Sequence, residues 1–326
     1  MNVLAGDVGG TNARLALVEV VHSRATIRAQ RTYPSRSYTG LAPIVRTFVA
    51  EISARPDRAC LGVPCPAGED ECLAPNLPWK VDPSAFAADI GIASSTLIND
   101  FTAIGHGIAF LRADDLETLQ AGEPKEHAPI GLIGAGTGLG VGFLTWEGDR
   151  YVVHGSEGGH VGFAPRGEQQ AGLARFLERE YGRVSRERVV SGPGIVATYR
   201  YLASTGEALE NPALREEMER DDPAAVIFRH ALAGTDALCQ QTLDLFVDGL
   251  GAAAGDLALS VLALAGVYIG GGIAPRIVPY LRKGAFLRAF RDKGRLSDYI
   301  ARVPLHVIVN PNVALLGAAA VAARLP

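Results

Sequence analysis

Apolar residues from Asn2 to Val21 fall into two runs interrupted at Val8-Gly9-Gly10-Thr11-Asn12, a pattern that predicts two strands joined by a tight turn. The pattern returns between Pro129 and Trp146, where an apolar run enters Gly134-Ala135-Gly136-Thr137-Gly138 and leaves through Leu139 to Leu144. Gly136-Thr137 repeats Gly10-Thr11 at an offset of 126 residues, and a repeat that long predicts two related halves. Between the hairpins, Leu41 to Ile52 has helical spacing and Ala59 to Val63 reads as a strand. Thr96-Leu97-Ile98 is a short buried strand that stops at Asn99-Asp100. Pro64 to Pro83 holds five prolines and reads as an ordered loop.

The second half predicts a helix over Glu168 to Tyr181, another opened by Ser191-Gly192-Pro193, and two or three more over Pro223 to Ala265. Strand character returns at Gly266 to Ile269 and Pro304 to Val309, and a closing helix, Asn312 to Arg324, is expected to pack back on the first lobe. The charged run Glu207 to Asp222 reads as a solvated helix face. Alternating strands and helices with a repeated hairpin place the chain in the α/β class, as two similar lobes around a cleft.

Composition narrows the function classes. The 326 residues suffice for two domains, and 31 basic against 35 acidic residues leave a net charge of -4, with no electrostatic footprint for nucleic acid or an anionic membrane. Leu257 to Pro275 is uncharged for 19 residues but carries Gly270, Gly271 and Gly272, while Val303 to Ala323 contains two prolines and two asparagines. Each reads as a helix and a strand meeting at a turn, not as a membrane span. Asp7 interrupts the early apolar run and no basic region precedes it, so a cytoplasmic location is expected. Cys60, Cys65, Cys72 and Cys239 match no CxxC or zinc spacing and read as reduced thiols.

The 38 glycines cluster around the apolar runs, which points to backbone approaching a ligand. In Gly6-Asp7-Val8-Gly9-Gly10-Thr11-Asn12, glycines with access to positive φ could converge N–H groups on an anion, Thr11 adds a hydroxyl, and Asp7 could hold a divalent cation through water. Alone, this segment reads equally well as a plain hairpin turn. The second hairpin, Gly134 to Gly140, makes a phosphate site the better reading. No Gly-Lys dipeptide occurs, which excludes a Walker A loop, and Leu139 stands where a dinucleotide fingerprint needs glycine.

Asn99-Asp100 lies where an apolar strand stops, the place where α/β sheets bind ligands, and a carboxylate there can accept a hydroxyl proton; taken alone, a helix N-cap explains it better. Gly155-Ser156-Glu157-Gly158-Gly159-His160 places a carboxylate and an imidazole three residues apart, a pair suited to vicinal sugar hydroxyls, although a structural hydrogen bond would also account for His160. Glu187, between Arg186 and Arg188, reads by itself as a surface ion pair.

Six segments in order closely resemble the bacterial glucokinases of the enterobacterial type: GDVGGTNARLAL at Gly6 to Leu17, INDF at Ile98 to Phe101, GAGTGLG at Gly134 to Gly140, SEGGH at Ser156 to His160, ERVVSGPG at Glu187 to Gly194 and IGGGIAPR at Ile269 to Arg276. The resemblance implies a two-lobed actin-like ATPase (ribonuclease H-like) fold, with a small domain of residues 1–111 plus 302–326, a large domain of 112–301, and a nucleotide and sugar cleft between them. It further implies ATP-dependent phosphorylation of glucose at its 6-hydroxyl. Asp100 would be the general base, and Asn99, Asp100, Glu157, His160 and Glu187 would hold the hexose. The ATP phosphates would meet Gly6, Asp7, Val8, Gly9, Gly10, Thr11, Asn12, Gly136, Thr137 and Gly138, with adenosine near Gly271 and Gly272. Mg²⁺ would bridge the phosphates beside Asp7, and a homodimer is implied. The sequence departs from the family at Pro75-Asn76-Leu77-Pro78-Trp79 and at Asn310-Pro311-Asn312-Val313. It also lacks the cysteine cluster of the related repressor and kinase family. A transcription regulator on the same fold would need a DNA-binding segment, and five residues precede Gly6.

Overall fold

The structure is a computed structural model that describes residues 1–21, 24–65, 77–83, 85–206 and 210–326. Chain contacts divide it into one unit of Met1–Leu116, Glu147–Ser156 and Val309–Pro326 and a second of Glu117–Trp146 and Glu157–Ile308.

In the first unit, β1 (Asn2–Val8) and β2 (Asn12–Val21) form the expected hairpin, and β3 (Arg24–Pro34) extends it. The predicted helix α1 (Leu41–Ile52) leads to β4 (Arg58–Val63), then α2 (Phe86–Ile90), β5 (Ser94–Asn99) and α3 (Asp100–Gly107). The sheet order is β3-β2-β1-β4-β5, with β1-β4 and β4-β5 parallel. Both faces of β1 are covered, which is why its sequence is nearly continuously apolar instead of alternating. Leu4 and Val8 pack with Ile44, Val45 and Phe48 of α1 on one side, while Val3 and Ala5 pack against the chain's closing helix on the other.

The second unit begins with β6 (Leu116–Gln120), β7 (Ile130–Ala135) and β8 (Leu139–Glu147), after which β9 (Arg150–Ser156) belongs to the first unit. Helices α4 (Gly167–Tyr181), α5 (Gly192–Thr205), α6 (Pro212–Arg220), α7 (Pro223–Ala233) and α8 (Ala237–Val261) follow. Next come β10 (Gly266–Gly270), the short helices α9 (Val278–Leu281), α10 (Ala285–Arg291) and α11 (Ser297–Ile300), and β11 (Leu305–Ile308). Within this unit the strand order is β6-β11-β10-β7-β8. β7 is antiparallel to β8 and parallel to β10, as β1 is to β2 and β4, so the sequence repeat is a repeat of topology. The stretch expected to hold two or three helices holds α7 and the 25-residue α8. In the charged run, α6 buries Leu214 and exposes its acidic and basic side chains, as a solvated face should.

The closing helix α12 (Val313–Ala322) returns to the first unit, as predicted, and its Leu315, Ala318, Ala319 and Ala322 complete the second face of the sheet. Gly317 lies so close to the Ala103 carbonyl of α3, and Gly107 to the Val313 carbonyl, that neither position has room for a Cβ. No helix among the described residues is long and apolar enough to cross a membrane. The expectation of reduced cysteines needs one correction: Cys60 and Cys239 are free and buried, but Cys65 is disulfide-bonded. Cys72, residues 66–76 of the proline-rich loop and the departure at Pro75-Asn76 lie outside the described residues, as do residues 207–209 of the charged run.

Candidate functional site

In the first unit, β5 delivers its chain directly into α3 at Asn99-Asp100. Asn99 is the N-cap: its Oδ1 accepts from the N–H groups of Phe101 (2.9 Å) and Thr102 (3.0 Å), and its Nδ2 donates to the Cys65 carbonyl (2.7 Å). The cap therefore belongs to Asn99, leaving Asp100 as the first helical residue, with Oδ1 accepting from Phe101 N–H at 2.7 Å. Gly62 on β4 admits this helix start, since a Cβ there would stand 3.3 Å from the Asp100 Cα and 3.2 Å from the Ala103 Cβ.

Burial pushes the Asp100 carboxyl up to about 6, with the negative charge of Asp7 adding to the shift and the Phe101 hydrogen bond opposing it. An acid with that value changes protonation near neutrality, as a general base requires.

The turn between β1 and β2 is closed by Gly9 N–H donating to the Asn12 carbonyl (2.8 Å), and Ser35 braces it through its hydroxyl to the Gly9 carbonyl (2.7 Å) and its N–H to the Thr11 carbonyl (2.9 Å). Asp7 at the end of β1 pairs with Arg14, which also donates to the Pro311 carbonyl at 2.7 Å. Arg14 and Ser35 were not among the sequence candidates; Arg14 stands inside the GDVGGTNARLAL segment, and its pairing with Asp7 in the β1-β2 register was the available signal.

Among the described residues no three His, Cys, Asp or Glu side chains gather as a metal cage. Mg²⁺ needs no such cage when one carboxylate and phosphate oxygens suffice. Asp7 fits that donor set, and the charge it imposes on Asp100 is one that a cation would offset.

In the second unit, Gly136 N–H donates to the Gly138 carbonyl (2.8 Å) to close the turn between β7 and β8. The chain from Glu187 to Gly192 grips that turn: Gly192 N–H donates to the Gly136 carbonyl and Leu139 N–H donates to Glu187 Oε2, both at 2.8 Å. The Ser191 hydroxyl donates to the Glu187 carbonyl at 2.7 Å while accepting from Gly194 N–H as the N-cap of α5. Glu187 is therefore not the surface ion pair that its neighbours suggest when read alone.

Glu157 and His160 are exposed and face each other at 3.8 Å between Oε2 and Nε2. Their turn is closed by His160 N–H to the Glu157 carbonyl (2.9 Å), and Arg183 donates to the His160 carbonyl (2.9 Å). Arg186 N–H to the Val161 carbonyl (2.9 Å) ties this turn to the Glu187 segment. Gly159 presses on the Leu139 carbonyl, where a Cβ would collide. The hairpin at Gly136 to Leu139, the turn at Glu157 to Val161 and the chain from Arg186 to Gly192 thus form one cluster, joined by backbone hydrogen bonds and by the close packing of Gly159 on Leu139.

The hairpin glycines hold their places for a reason other than the expected one. Gly6, Gly9, Gly10, Gly136 and Gly138 have no positive φ; in the six segments that carry the resemblance, Gly271 is the one described glycine that does, at 81°. Gly6 lies against Leu61 and Leu15, and a Cβ on Gly138 would sit 2.6 Å from Glu187 Oε2. Gly136 and Gly272 face open space, so nothing inside the protein excludes a side chain there. Gly272 is exposed, whereas the N–H and carbonyl of Gly136 are already engaged by Gly138 and Gly192.

The family model described as Glucokinase matches residues 4–325. A glucokinase of Trichormus variabilis is 43% identical, the alignment covering 99% of both chains. Among solved structures, a glucokinase from an Antarctic psychrotroph superposes with a TM-score of 0.84 at 34% identity, over 99% of this chain and 98% of that one. A ROK family glucokinase of Streptomyces griseus, solved with glucose and AMPPNP, shares the fold at a TM-score of 0.67 and 19% identity, over 99% of this chain and 100% of that one.

Proposed function

The chain belongs to the glucokinase family, an enzyme family with the actin-like ATPase fold, and from that premise we propose that it transfers the γ-phosphoryl group of ATP to the 6-hydroxyl of glucose with Asp100 as general base. The observation that carries this reading is the carboxyl of Asp100, raised to about 6 at the carboxyl end of β5.

Asp100 accepts the proton of the 6-hydroxyl as the oxygen attacks the γ-phosphorus, and the phosphoryl group leaves ADP. Asn99, with its amide fixed by Cys65 and the start of α3, keeps Asp100 in place and helps to hold the hexose. Glu157, His160 and Glu187 take the remaining hydroxyls. The hairpins at Gly6 to Asn12 and Gly136 to Gly138 take the phosphates, and adenosine lies near Gly271 and Gly272, of which Gly272 faces open space while Gly271 is packed on the Ala135 backbone. Asp7 would hold Mg²⁺, which when bound would supply charge neutralisation to the phosphates. The remaining catalysis is positioning and preorganised polarity, as phosphoryl transfer demands. We take the assembly to be a cytoplasmic homodimer, and sedimentation of the purified chain tests the dimer.

The test of the reaction is a coupled assay with Mg²⁺-ATP and glucose, mannose, fructose or N-acetylglucosamine, beside a control without sugar. Turnover that requires sugar and is fastest with glucose is the expected result. Equal ATP hydrolysis without sugar, or no turnover with any of the four, overturns the proposal.

A further inference from the structure

We propose that Glu187 is a positioning residue that couples the hexose to the phosphate hairpin, through the hydrogen bond from Leu139 N–H to its Oε2 (2.8 Å). This rests on the reading of Glu187 as a hexose ligand and adds a second task for the same carboxylate.

The peptide of Leu139 is the joint. It follows Gly138 at the exit of the hairpin turn, with its N–H on Glu187 and its carbonyl against Gly159, one residue before His160. Glu187 reaches the joint because position 138 is glycine: a Cβ there would stand 2.6 Å from Oε2. The same segment holds the other side of the turn, since Gly192 N–H donates to the Gly136 carbonyl and the Ser191 hydroxyl ties Gly192 back to the Glu187 carbonyl. Among the described residues, Oε1 of Glu187 makes no hydrogen bond and the side chain is half-buried, so one carboxylate oxygen is committed to the hairpin while the other can accept from a sugar hydroxyl.

A hydroxyl on Oε1 fixes the carboxylate plane, and the carboxylate fixes the Leu139 N–H. Binding of either substrate thereby removes freedom that the other would otherwise have to remove, and such a coupling is reciprocal.

Calorimetry of glucose and of Mg²⁺-AMPPNP, each titrated with and without saturating amounts of the other, reads the coupling directly. In the unaltered protein glucose tightens AMPPNP at least about fivefold, and AMPPNP tightens glucose by the same factor. Glu187→Ala reduces the factor to about one at a glucose concentration re-established as saturating, because no acceptor for Leu139 N–H remains. Glu187→Gln, whose amide oxygen can still accept from Leu139, retains part of the coupling. Glu157→Gln weakens glucose binding but leaves the factor unchanged, since its side chain makes no bond to the hairpin. Gly138→Ala, which crowds Oε2 off Leu139, lowers the factor while glucose still binds, and supplies the test should Glu187→Ala fail to fold.

An unaltered protein that binds both ligands with no coupling, or a Glu187→Ala protein with undiminished coupling, overturns this inference and leaves the kinase reading intact. An unaltered protein that binds no glucose overturns both.

Discussion

At the residue scale, Asp100 carries the account, and its surroundings set two measurable consequences. Its carboxyl is raised from 3.8 to about 6 by burial first and by Asp7 second. A base must be deprotonated to act, so kcat/KM for glucose falls as pH drops through about 6, with a slope of one proton. The same shift acts on stability with a definite sign. Above pH 6 the folded protein keeps a charge in a site that disfavours it, whereas below 3.8 the group is neutral in both folded and unfolded chains. Asp100→Asn is accordingly expected to melt at a higher temperature than the unaltered protein at about pH 8, the difference vanishing near pH 4. An equal difference at both pH values would show that the raised carboxyl is not its source.

Asn99 and Asp100 were found from the stop of an apolar strand, but the division of labour between them was not legible. Either side chain can cap a helix, and the choice depends on a carbonyl, that of Cys65, 34 residues away. Ser35 was invisible for the same reason, since a serine after a proline carries no mark of the Gly9 carbonyl to which it donates.

At the element scale, the hairpins, β4 and the closing helix were legible as continuous apolar runs, because each is buried on most sides, and α1 by its helical spacing. β3 was missed: it is an edge strand with exposed alternate residues and arginines along its length, so its pattern is that of a polar connection. The two or three helices expected over Pro223 to Ala265 are two, α7 and α8, separated at the short junction Gly234 to Asp236; their number was open because α8 runs unbroken for 25 residues.

The positioning of Asp100 depends on the contact of α12 with α3, where Gly317 lies on the Ala103 carbonyl. Gly317→Ala is expected to cost about 1–3 kcal/mol in chemical denaturation, because an inserted methyl must push two helices apart. Gly162→Ala, at a glycine with no atom within 4 Å of the added methyl, should change stability by less than about 0.5 kcal/mol. Equal effects at the two sites would mean that the α3-α12 contact is loose.

At the scale of the whole molecule, the two units share one strand topology, and the residues proposed to meet ATP and glucose include the turn of each antiparallel hairpin. The 126-residue repeat of Gly10-Thr11 in Gly136-Thr137 marks this shared topology, although the glycines are kept for different reasons: Gly6 lies against Leu61 and Leu15, and Gly138 against the Glu187 carboxylate. What the repeat did not disclose is the difference between them. The first hairpin is tied by a serine and an arginine to its own unit's loops, and the second by Glu187 to the residues that read as sugar ligands. Those ties join segments 26, 297 and 48 residues apart, each with a backbone group at one end, and a backbone partner leaves no trace in side-chain identity.

The claim that joins these scales is that Asp100 deprotonates a bound glucose. Its most direct test is the turnover of Asp100→Asn with saturating glucose and Mg²⁺-ATP, measured beside calorimetric glucose binding by the same preparation. The account predicts a kcat lower by about 10²–10⁴-fold with glucose still bound. A kcat near that of the unaltered protein, with glucose bound, would contradict it.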